Sequence, residues 1–221
     1  MVDNFGGLMI YSILSIAAII FAVLFLLTLT LLHLLKPEYD PKWRMISEYE
    51  IGKYGSLMQG AFFAWAASLL LMMIAAWRFV GSVGGIIGWV WFLIIVLALV
   101  GAGVFKTNAI TDNSTSRDHT IHTLCGSIVI LTFPIASTLV ANFLLRSPFW
   151  EPYTLAVFNF TLLNWLGMIG FFGSIIWSRK KDPSAGRVGP KVLLGWPNRI
   201  MVLLYNVWVI VLAVCVIQMM K

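Results

Sequence analysis

Six long apolar runs decide what this chain can fold into. The hydrocarbon core of a bilayer is about 30 Å thick, so a helix needs roughly 20 apolar residues to cross it. Each run reaches that length without interruption, unlike the short alternating segments of a membrane β-barrel. Because lipid offers no partners for backbone amides, each run is predicted to be a helix. The sequence therefore predicts one all-α, six-helix membrane domain over residues 1–221, with helices at about 8–35, 48–79, 85–105, 116–145, 153–178 and 198–220.

The charge content excludes the other protein classes. Of the 221 residues, 60% are hydrophobic and 11% are charged, whereas a soluble domain carries about 25% charged residues. This is too little charge for a soluble, disordered or nucleic-acid-binding chain. The first run is longer than a signal-peptide core and no Lys or Arg precedes it, so we expect it to be retained as a helix.

Cations are distributed unevenly between the two ends of the predicted bundle. Twelve of the 15 Lys and Arg residues lie in the first, third and fifth loops. These twelve are Lys36, Lys42, Arg44, Lys53, Lys106, Arg117, Arg179, Lys180, Lys181, Arg187, Lys191 and Arg199, and the other three are Arg78, Arg146 and Lys221. The positive-inside rule predicts that loops 1, 3 and 5 are cytoplasmic, in a bacterial inner membrane, and that both termini lie on the outer side. The same charge indicates membrane lipids as partners, with no need for nucleic acid.

The predicted membrane interior contains few polar groups. No Asp, Glu, Lys or Arg lies near the middle of a run, which argues against an ion-coupled pump or a voltage sensor. The amides and hydroxyls at depth are expected to form hydrogen bonds between helices or to line a ligand cavity. They are Asn159, Asn164, Asn206, Ser68 and Ser174. Gly167, Gly170 and Gly173 repeat on one side of the fifth helix, where a neighbouring backbone or a substrate could approach closely.

The first loop carries a candidate helix start. Ser47-Glu48-Tyr49-Glu50 has the form of a capping box, in which Ser47 caps the amide of Glu50 and the carboxylate of Glu50 reaches back. The second helix is therefore expected to begin near Glu48. This account leaves Glu48 without a role, and its side chain could face the protein interior.

The third loop carries two histidines. Thr115 with Asp118 forms a second candidate capping box, which would start the fourth helix. His119 and His122 then lie three residues apart, a spacing that can chelate a metal if a third ligand is near. The candidates for that third ligand are Asp112, Asp118, Glu48 and His33. The alternatives are a bis-histidine haem and simple hydrogen bonding of each imidazole.

The fifth loop leads basic and polar residues to the same boundary. Its Pro- and Gly-punctuated sequence is typical of a mobile linker beside anionic headgroups. Pro197 suits the first turn of the last helix, which brings Asn198 and Arg199 to the inner boundary. Arg199 could pair with Glu48 or Asp112, or bind a lipid phosphate. We call the predicted cluster at this boundary the polar cap, and it consists of Arg44, Ser47, Glu48, Asn108, His122, Asn198 and Arg199.

The order of several motifs resembles a known family. The motifs are Arg44-x-x-Ser47-Glu48-Tyr49-x-x-Gly52-x-x-Gly55, Gly103-x-Phe105-x-Thr107-Asn108, His122-x-x-x-Gly126, and Asn198-Arg199 with Trp208. From about residue 10 to residue 215 the chain resembles the prokaryotic multi-pass membrane family known as domain of unknown function 998. The resemblance implies the six-pass topology and this choice of residues, and it supplies no reaction. Members often carry an acid at the position of Asn108, which puts a catalytic role there in doubt unless Asp112 substitutes.

Three functional hypotheses stay open at this point. The first is a non-catalytic membrane protein that binds a lipid or small ligand, or is an accessory subunit of a larger complex or homo-oligomer. The second is a membrane-embedded, metal-dependent enzyme acting on a lipid at the cytoplasmic face. In it, His122 is a base or metal ligand, Glu48 and Asp112 are its partners, and Arg199 holds a phosphate. The third is a haem electron carrier using His33 and His122. The sequence requires no cofactor.

Overall fold

A bundle of six long helices forms the molecule. The computed structural model describes residues 3–79, 82–112, 114–186 and 188–220. The helices are α1 (Asp3–Leu35), α2 (Gly55–Ala76), α3 (Val83–Val104), α4 (Arg117–Leu144), α5 (Thr154–Lys181) and α6 (Gly195–Met219). All six are long and apolar enough to cross a membrane, and the described residues contain no strand. The described residues confirm the prediction of an all-α fold with six helices of membrane-spanning length and composition. Arg187 and Lys221, which were assigned to opposite ends above, lie outside the described residues.

The helices are arranged in a ring, and one contact crosses its centre. Neighbours in sequence pack together, α1 packs against α6, and α2 touches α6 across the bundle. Aromatic rings fill the centre. Phe133 stacks on Tyr205 with ring centroids 4.3 Å apart, and Phe92 stacks on Trp208 at 5.3 Å. In lipid the hydrophobic effect does not drive helices together, so this close packing contributes most of the cohesion.

A proline in α4 explains one interhelical hydrogen bond. Pro134 has no N–H and cannot donate to the carbonyl of Ile130, four residues earlier. The hydroxyl of Tyr205, on α6, donates to that carbonyl at 2.9 Å. The bond satisfies a backbone group that lipid would leave unpaired and attaches α6 to α4.

The buried amides and hydroxyls behave differently from one another. Asn164 donates to Ser137 on α4 at 3.1 Å, and Ser68 donates to a carbonyl of α1 at 2.8 Å. Both are the interhelical bonds expected of such groups. Asn206 instead donates within its own helix, and Asn159 is exposed.

The glycines of α5 do not form one continuous contact. A Cβ at Gly167 would lie 3.2 Å from the Cα of Met201 on α6, so α5 and α6 approach closely there. A Cβ at Gly170 or Gly173 would meet nothing within 4 Å. The predicted close approach therefore applies to Gly167 alone.

The second helix begins at Gly55, and the prediction of a start near Glu48 is wrong. Residues Ile46–Glu50 form a short 3-10 helix, after which Gly52 and Tyr54 take left-handed φ angles of 72° and 66°. The chain turns so sharply here that residue 55 touches the backbone of residue 50. A Cβ at Gly55 would lie 2.0 Å from the carbonyl oxygen of Glu50, so only glycine fits at this position. The expected capping box is not formed.

The other five helix starts also differ from prediction, with α1 beginning five residues earlier, α3 two residues earlier and α5 one residue later than expected. The cap of α4 is Ser116, whose Oγ accepts the N–H of His119 at 3.0 Å, one residue after the predicted Thr115. The last helix begins at Gly195 rather than at residue 198. A Cβ at Gly195 would lie 2.3 Å from the carbonyl oxygen of Pro41, so this glycine lets the first and fifth loops pack together.

Candidate functional site

The first, third and fifth loops meet at one end of the bundle. The backbone N–H groups of Leu194 and Gly195 both donate to the carbonyl of Lys42, at 3.1 and 2.9 Å. The N–H of Ile110, in the third loop, donates to the carboxylate of Glu48 at 2.8 Å. The first loop is therefore joined to both of the others, and the predicted polar cap lies at this junction.

Glu48 joins the first loop to the third. Its side chain is 2% exposed. One carboxylate oxygen accepts from the guanidinium of Arg44 as well as from Ile110, and the other accepts the N–H of Met45 at 3.2 Å. Both oxygens are engaged, and the carboxylate is neutralised by a neighbouring cation. This is the arrangement of a structural carboxylate.

Arg199 is buried among neutral acceptors. Its Nε donates to Nε2 of His33 at 2.7 Å, its Nη1 donates to the carbonyl of Arg44 at 2.6 Å, and its Nη2 donates to the hydroxyl of Tyr49 at 2.9 Å. No carboxylate in the described part of the chain lies within 4 Å of it. Arg199 thus pairs with neither Glu48 nor Asp112, the two acids considered in the sequence.

The contact with Arg199 fixes the tautomer of His33. A guanidinium can only donate, so Nε2 of His33 must be an acceptor. The hydrogen is then on Nδ1, which lies 2.8 Å from the carbonyl of Leu29. Both ring nitrogens are engaged, which leaves no lone pair for a metal or a haem iron.

The buried partner of His122 is Glu50. Nδ1 of His122 lies 3.3 Å from Oε2 of Glu50 and 2.8 Å from the carbonyl of Phe105. Because a carbonyl can only accept, this nitrogen carries the hydrogen. Glu50 is 1% exposed, and its Oε1 has no hydrogen-bond partner. An acid and an imidazole therefore adjoin each other, shielded from solvent.

Burial changes the protonation of Glu50. Loss of water raises the pKa of its carboxyl to about 8, against smaller opposing effects of the Thr107 N–H and the Lys106 ammonium. The carboxyl is therefore mostly protonated at neutral pH.

His119 forms hydrogen bonds within the third loop. Its Nδ1 accepts the N–H of Asn108 at 3.0 Å and lies 3.1 Å from the hydroxyl of Thr107. The amide of Asn108 donates to the carbonyl of Ser114 at 2.8 Å and accepts from the hydroxyl of Ser116 at 2.9 Å. Asn108 thus links separate parts of the third loop through hydrogen bonds.

The other predicted site residues, Asp112, Asn198 and Ser47, differ in their exposure and in their contacts. Asp112 is exposed, and a hydrogen bond from the N–H of Ser114 lowers its pKa. Asn198 is buried and accepts the N–H of Ile46 at 3.2 Å, and Ser47 is half-buried on the 3-10 helix. Within the described residues, no group of three or more His, Cys, Asp and Glu side chains could hold a metal ion.

Residues 16–215 match the model of a family described as "Protein of unknown function (DUF998)". The chain belongs to the DUF998 family. No match was found among curated proteins or among solved structures.

Two motif glycines of this DUF998 chain have a structural explanation. Gly52 takes a φ of 72°, which L side chains rarely adopt, and Gly55 touches the backbone of Glu50. Together they turn the chain from the 3-10 helix into α2. That turn directs Glu50 toward α4 and His122.

Sequence reasoning missed one buried cation of the DUF998 chain. Lys36 is 2% exposed, donates to the carbonyls of Tyr49 and Ile51, and lies 4.5 Å from the ring centroid of Tyr39. Burial lowers its pKa. In the sequence, Lys36 stands directly after the first apolar run and before Pro37. A lysine at such a position is ordinarily expected to extend to the headgroups, so its burial was not predicted.

Proposed function

We propose that this protein is a non-catalytic membrane protein that binds lipids at the end formed by loops 1, 3 and 5. We also propose that this end faces the cytoplasm, in the inner membrane of a bacterium. The single observation that carries the proposal is that two charged side chains of the polar cap, Glu48 and Arg199, are buried and hydrogen-bonded within the protein. Both oxygens of Glu48 accept hydrogen bonds, and Arg199 donates to four acceptors, which are His33, Tyr49 and the carbonyls of Arg44 and Gly195.

An engaged cap supports binding rather than catalysis. A catalytic group must reach a substrate, and a phosphate clamp must have donors to offer. Arg199 is 5% exposed and His122 is also 5% exposed. The cap therefore serves to hold the three loops together, which leaves their outer, basic surface to meet lipid.

The outer surface of the same end has the composition of a membrane interface. Trp177 and Trp196 are 56% and 46% exposed, and exposed Trp residues are enriched at headgroup depth. The ammonium of Lys181 lies 5.1 Å from the ring centroid of Trp177. Anionic headgroups of the cytoplasmic leaflet are the expected partners.

Native mass spectrometry tests the proposal. The protein is extracted from its membrane in mild detergent, and its retained lipids are identified before and after incubation with vesicles of phosphatidylglycerol and phosphatidylethanolamine. We expect phospholipid adducts on the protein and no change in the chemical composition of the vesicles. A protein that retains no phospholipid, or that consumes one, would contradict the proposal.

An accessory-subunit role is compatible with lipid binding and makes a separate prediction. The protein would then co-purify in mild detergent with a larger membrane complex, or as a homo-oligomer. Size-exclusion chromatography with light scattering measures this directly. A monodisperse single chain would exclude the role.

One observation favours an enzyme as the second candidate. The carboxyl of Glu50 and the imidazole of His122 are 3.3 Å apart, and one oxygen of Glu50 has no partner. Such a pair can relay a proton if the loops open. Lipid turnover that His122→Ala abolishes and Glu50→Gln reduces would favour this candidate over the first.

A further inference from the structure

A groove opens at the end of α5, outside the polar cap. Its volume is about 520 Å³, and its walls are the last two turns of α5, the segment 190–193 and Lys42 of the first loop. Three lysines are among the residues that line it, Lys42, Lys181 and Lys191. They come from three separate segments of the chain, so the fold alone brings them together.

The far wall of the groove is fixed by hydrogen bonds. The N–H of Leu193 donates to Oγ of Ser178 at 3.0 Å, and the hydroxyl of Ser174 donates to the carbonyl of Leu193 at 2.7 Å. Val192 is 1% exposed and anchors the segment in the core. The backbone of Lys42, on the opposite wall of the groove, is held as well, because its carbonyl accepts hydrogen bonds from two N–H groups at the start of α6. This part of the fifth loop is therefore attached to α5 and to the first loop, and the mobility expected of the loop from its sequence stays a prediction.

The charges in the groove are only partly neutralised. The ammonium of Lys191 lies 2.9 Å from the carboxylate of Asp182 and donates to Ser184 at 3.0 Å. Lys42 and Lys181 have no carboxylate within 4 Å among the residues that the structure describes. Three cations and one anion leave an excess of two positive charges. The groove is therefore suited to an anion.

The position of the groove indicates a lipid. Lys181 is the last residue both of α5 and of the candidate membrane span that contains it. The groove therefore lies at the boundary of the apolar region. Its ammonium is 5.1 Å from the ring centroid of Trp177, which is exposed on the membrane side of Lys181. An anion with an acyl chain could place its phosphate between the lysines and its chain along Trp177 and the apolar surface of α5.

We propose that this groove binds the phosphate of an anionic phospholipid headgroup, with Lys42 and Lys181 as the binding cations and Trp177 as the contact for the chain. The proposal rests on the proposed function, because it names the lipid class and the residues that recognise it. A free phosphate shares the same charge chemistry, and the test must separate the two sources.

The test compares a groove variant with a control variant in detergent micelles. Lys42→Gln/Lys181→Gln removes two charges from the groove, and Arg146→Gln removes an exposed charge at the opposite end of the bundle. Each protein is titrated with phosphatidylglycerol, phosphatidylcholine or inorganic phosphate, and bound ligand is counted by native mass spectrometry. A cation near a lipid surface contributes a factor of about five in affinity, so the groove variant should bind phosphatidylglycerol roughly 30-fold more weakly than the parent. The control variant should bind it nearly as well as the parent.

Each outcome decides one question. If the groove variant binds phosphatidylglycerol as well as the control does, the groove is not the site, while lipid binding elsewhere still supports the proposed function. If the parent retains no phospholipid at all, both proposals fail. Inorganic phosphate that binds the parent and displaces phosphatidylglycerol at equal concentration would overturn the assignment to a lipid. Lys42→Arg/Lys181→Arg, with an unchanged melting temperature, should retain binding, and its loss would exclude charge as the cause.

Discussion

Glu50 shows how burial can make a single side chain control stability. Its carboxyl pKa is raised from 4.5 to about 8 by loss of water, so the folded protein binds this proton more tightly than the unfolded chain does. The free energy of unfolding is therefore highest below about pH 4.5 with respect to this group, decreases as the pH rises toward 8, and is constant above that.

The variant Glu50→Gln tests this dependence. A tenfold difference in proton affinity corresponds to about 1.4 kcal/mol, so we expect the parent to lose a few kcal/mol between pH 5 and pH 8.5 through this group. The amide cannot ionise, so Glu50→Gln should lose less over the same interval. Thermal melting in detergent at both pH values measures the difference. Parallel melting curves for parent and variant would show that Glu50 does not titrate in this range.

Arg199 illustrates a buried cation held by neutral groups. Arg199→Ala would leave the hydroxyl of Tyr49, the carbonyl of Arg44 and Nε2 of His33 without their donor. An unsatisfied buried polar group costs about 1–3 kcal/mol, so we expect a loss of at least about 3 kcal/mol. Arg199→Lys should restore only part of it, because one ammonium cannot reproduce the planar guanidinium.

The control for Arg199 is an exposed arginine at the other end of the bundle. Arg146→Ala removes a charge that is solvent-exposed and lies 4.7 Å from the ring centroid of Phe143. Its effect on the melting temperature should be small. Equal melting of the Arg199→Ala and Arg146→Ala proteins would show that the buried contacts contribute little.

The partners of these residues could not be predicted from the sequence. Spacing of three residues made Ser47 and Glu50 a plausible cap, and it made His119 and His122 a plausible metal site. In the structure Glu50 contacts His122 across 72 positions, and His33 contacts Arg199 across 166. Local spacing carries no information about such pairs, because the turn before α2 and the packing of α1 against α6 decide them.

The lengths of the apolar runs predicted the helices much better than local spacing predicted the partners of side chains. A span needs roughly 20 apolar residues whatever its neighbours are, so all six helices were correctly placed. Their exact starts depend on backbone contacts between loops, and all six differ from the predicted residue, by one residue for α4 and α5, two for α3, three for α6 and five for α1. The start of α2 differs most, by seven residues, because Gly55 must accommodate the carbonyl of Glu50.

Two glycines of α2 provide a matched test of that contact. Gly55→Ala places a methyl group 2.0 Å from a backbone oxygen, whereas Gly60→Ala meets nothing within 4 Å. We expect Gly55→Ala to destabilise the fold by several kcal/mol, since backbone must move. Gly60→Ala should be neutral or stabilise it by up to about 1 kcal/mol through its helix propensity. Melting temperatures compare the two, and a Gly55→Ala protein as stable as Gly60→Ala would refute the tight turn.

The proline of α4 allows a coupling experiment between helices. Tyr205→Phe removes the donor to the carbonyl of Ile130 and should cost about 1–3 kcal/mol. In a Pro134→Ala background the helix supplies its own N–H to that carbonyl, so Tyr205→Phe should then cost much less. A double-mutant cycle on the free energy of unfolding measures the coupling. Additive effects would show that the hydroxyl has no role at the proline.

For the molecule as a whole, the proposed orientation depends on the distribution of charge. Of the twelve cations that the sequence assigns to loops 1, 3 and 5, the eleven that the structure describes lie in those loops or at the adjoining helix ends. The positive-inside rule predicts that this basic end faces the cytoplasm. The groove, the polar cap and the proposed lipid partner all lie at that end. Their function therefore depends on which leaflet this end contacts, since the anionic surface potential belongs to the cytoplasmic leaflet.

Labelling of single cysteines tests the orientation in intact cells. The native Cys125 and Cys215 lie within helices and are first replaced by Ser. Ser184→Cys then probes the fifth loop, and Phe149→Cys, at a side chain that is 69% exposed, probes the opposite end. A membrane-impermeant maleimide should label Phe149→Cys in intact spheroplasts and Ser184→Cys only after permeabilisation. The reverse pattern would place the lysine groove outside the cell, away from the leaflet whose negative charge it is proposed to recognise.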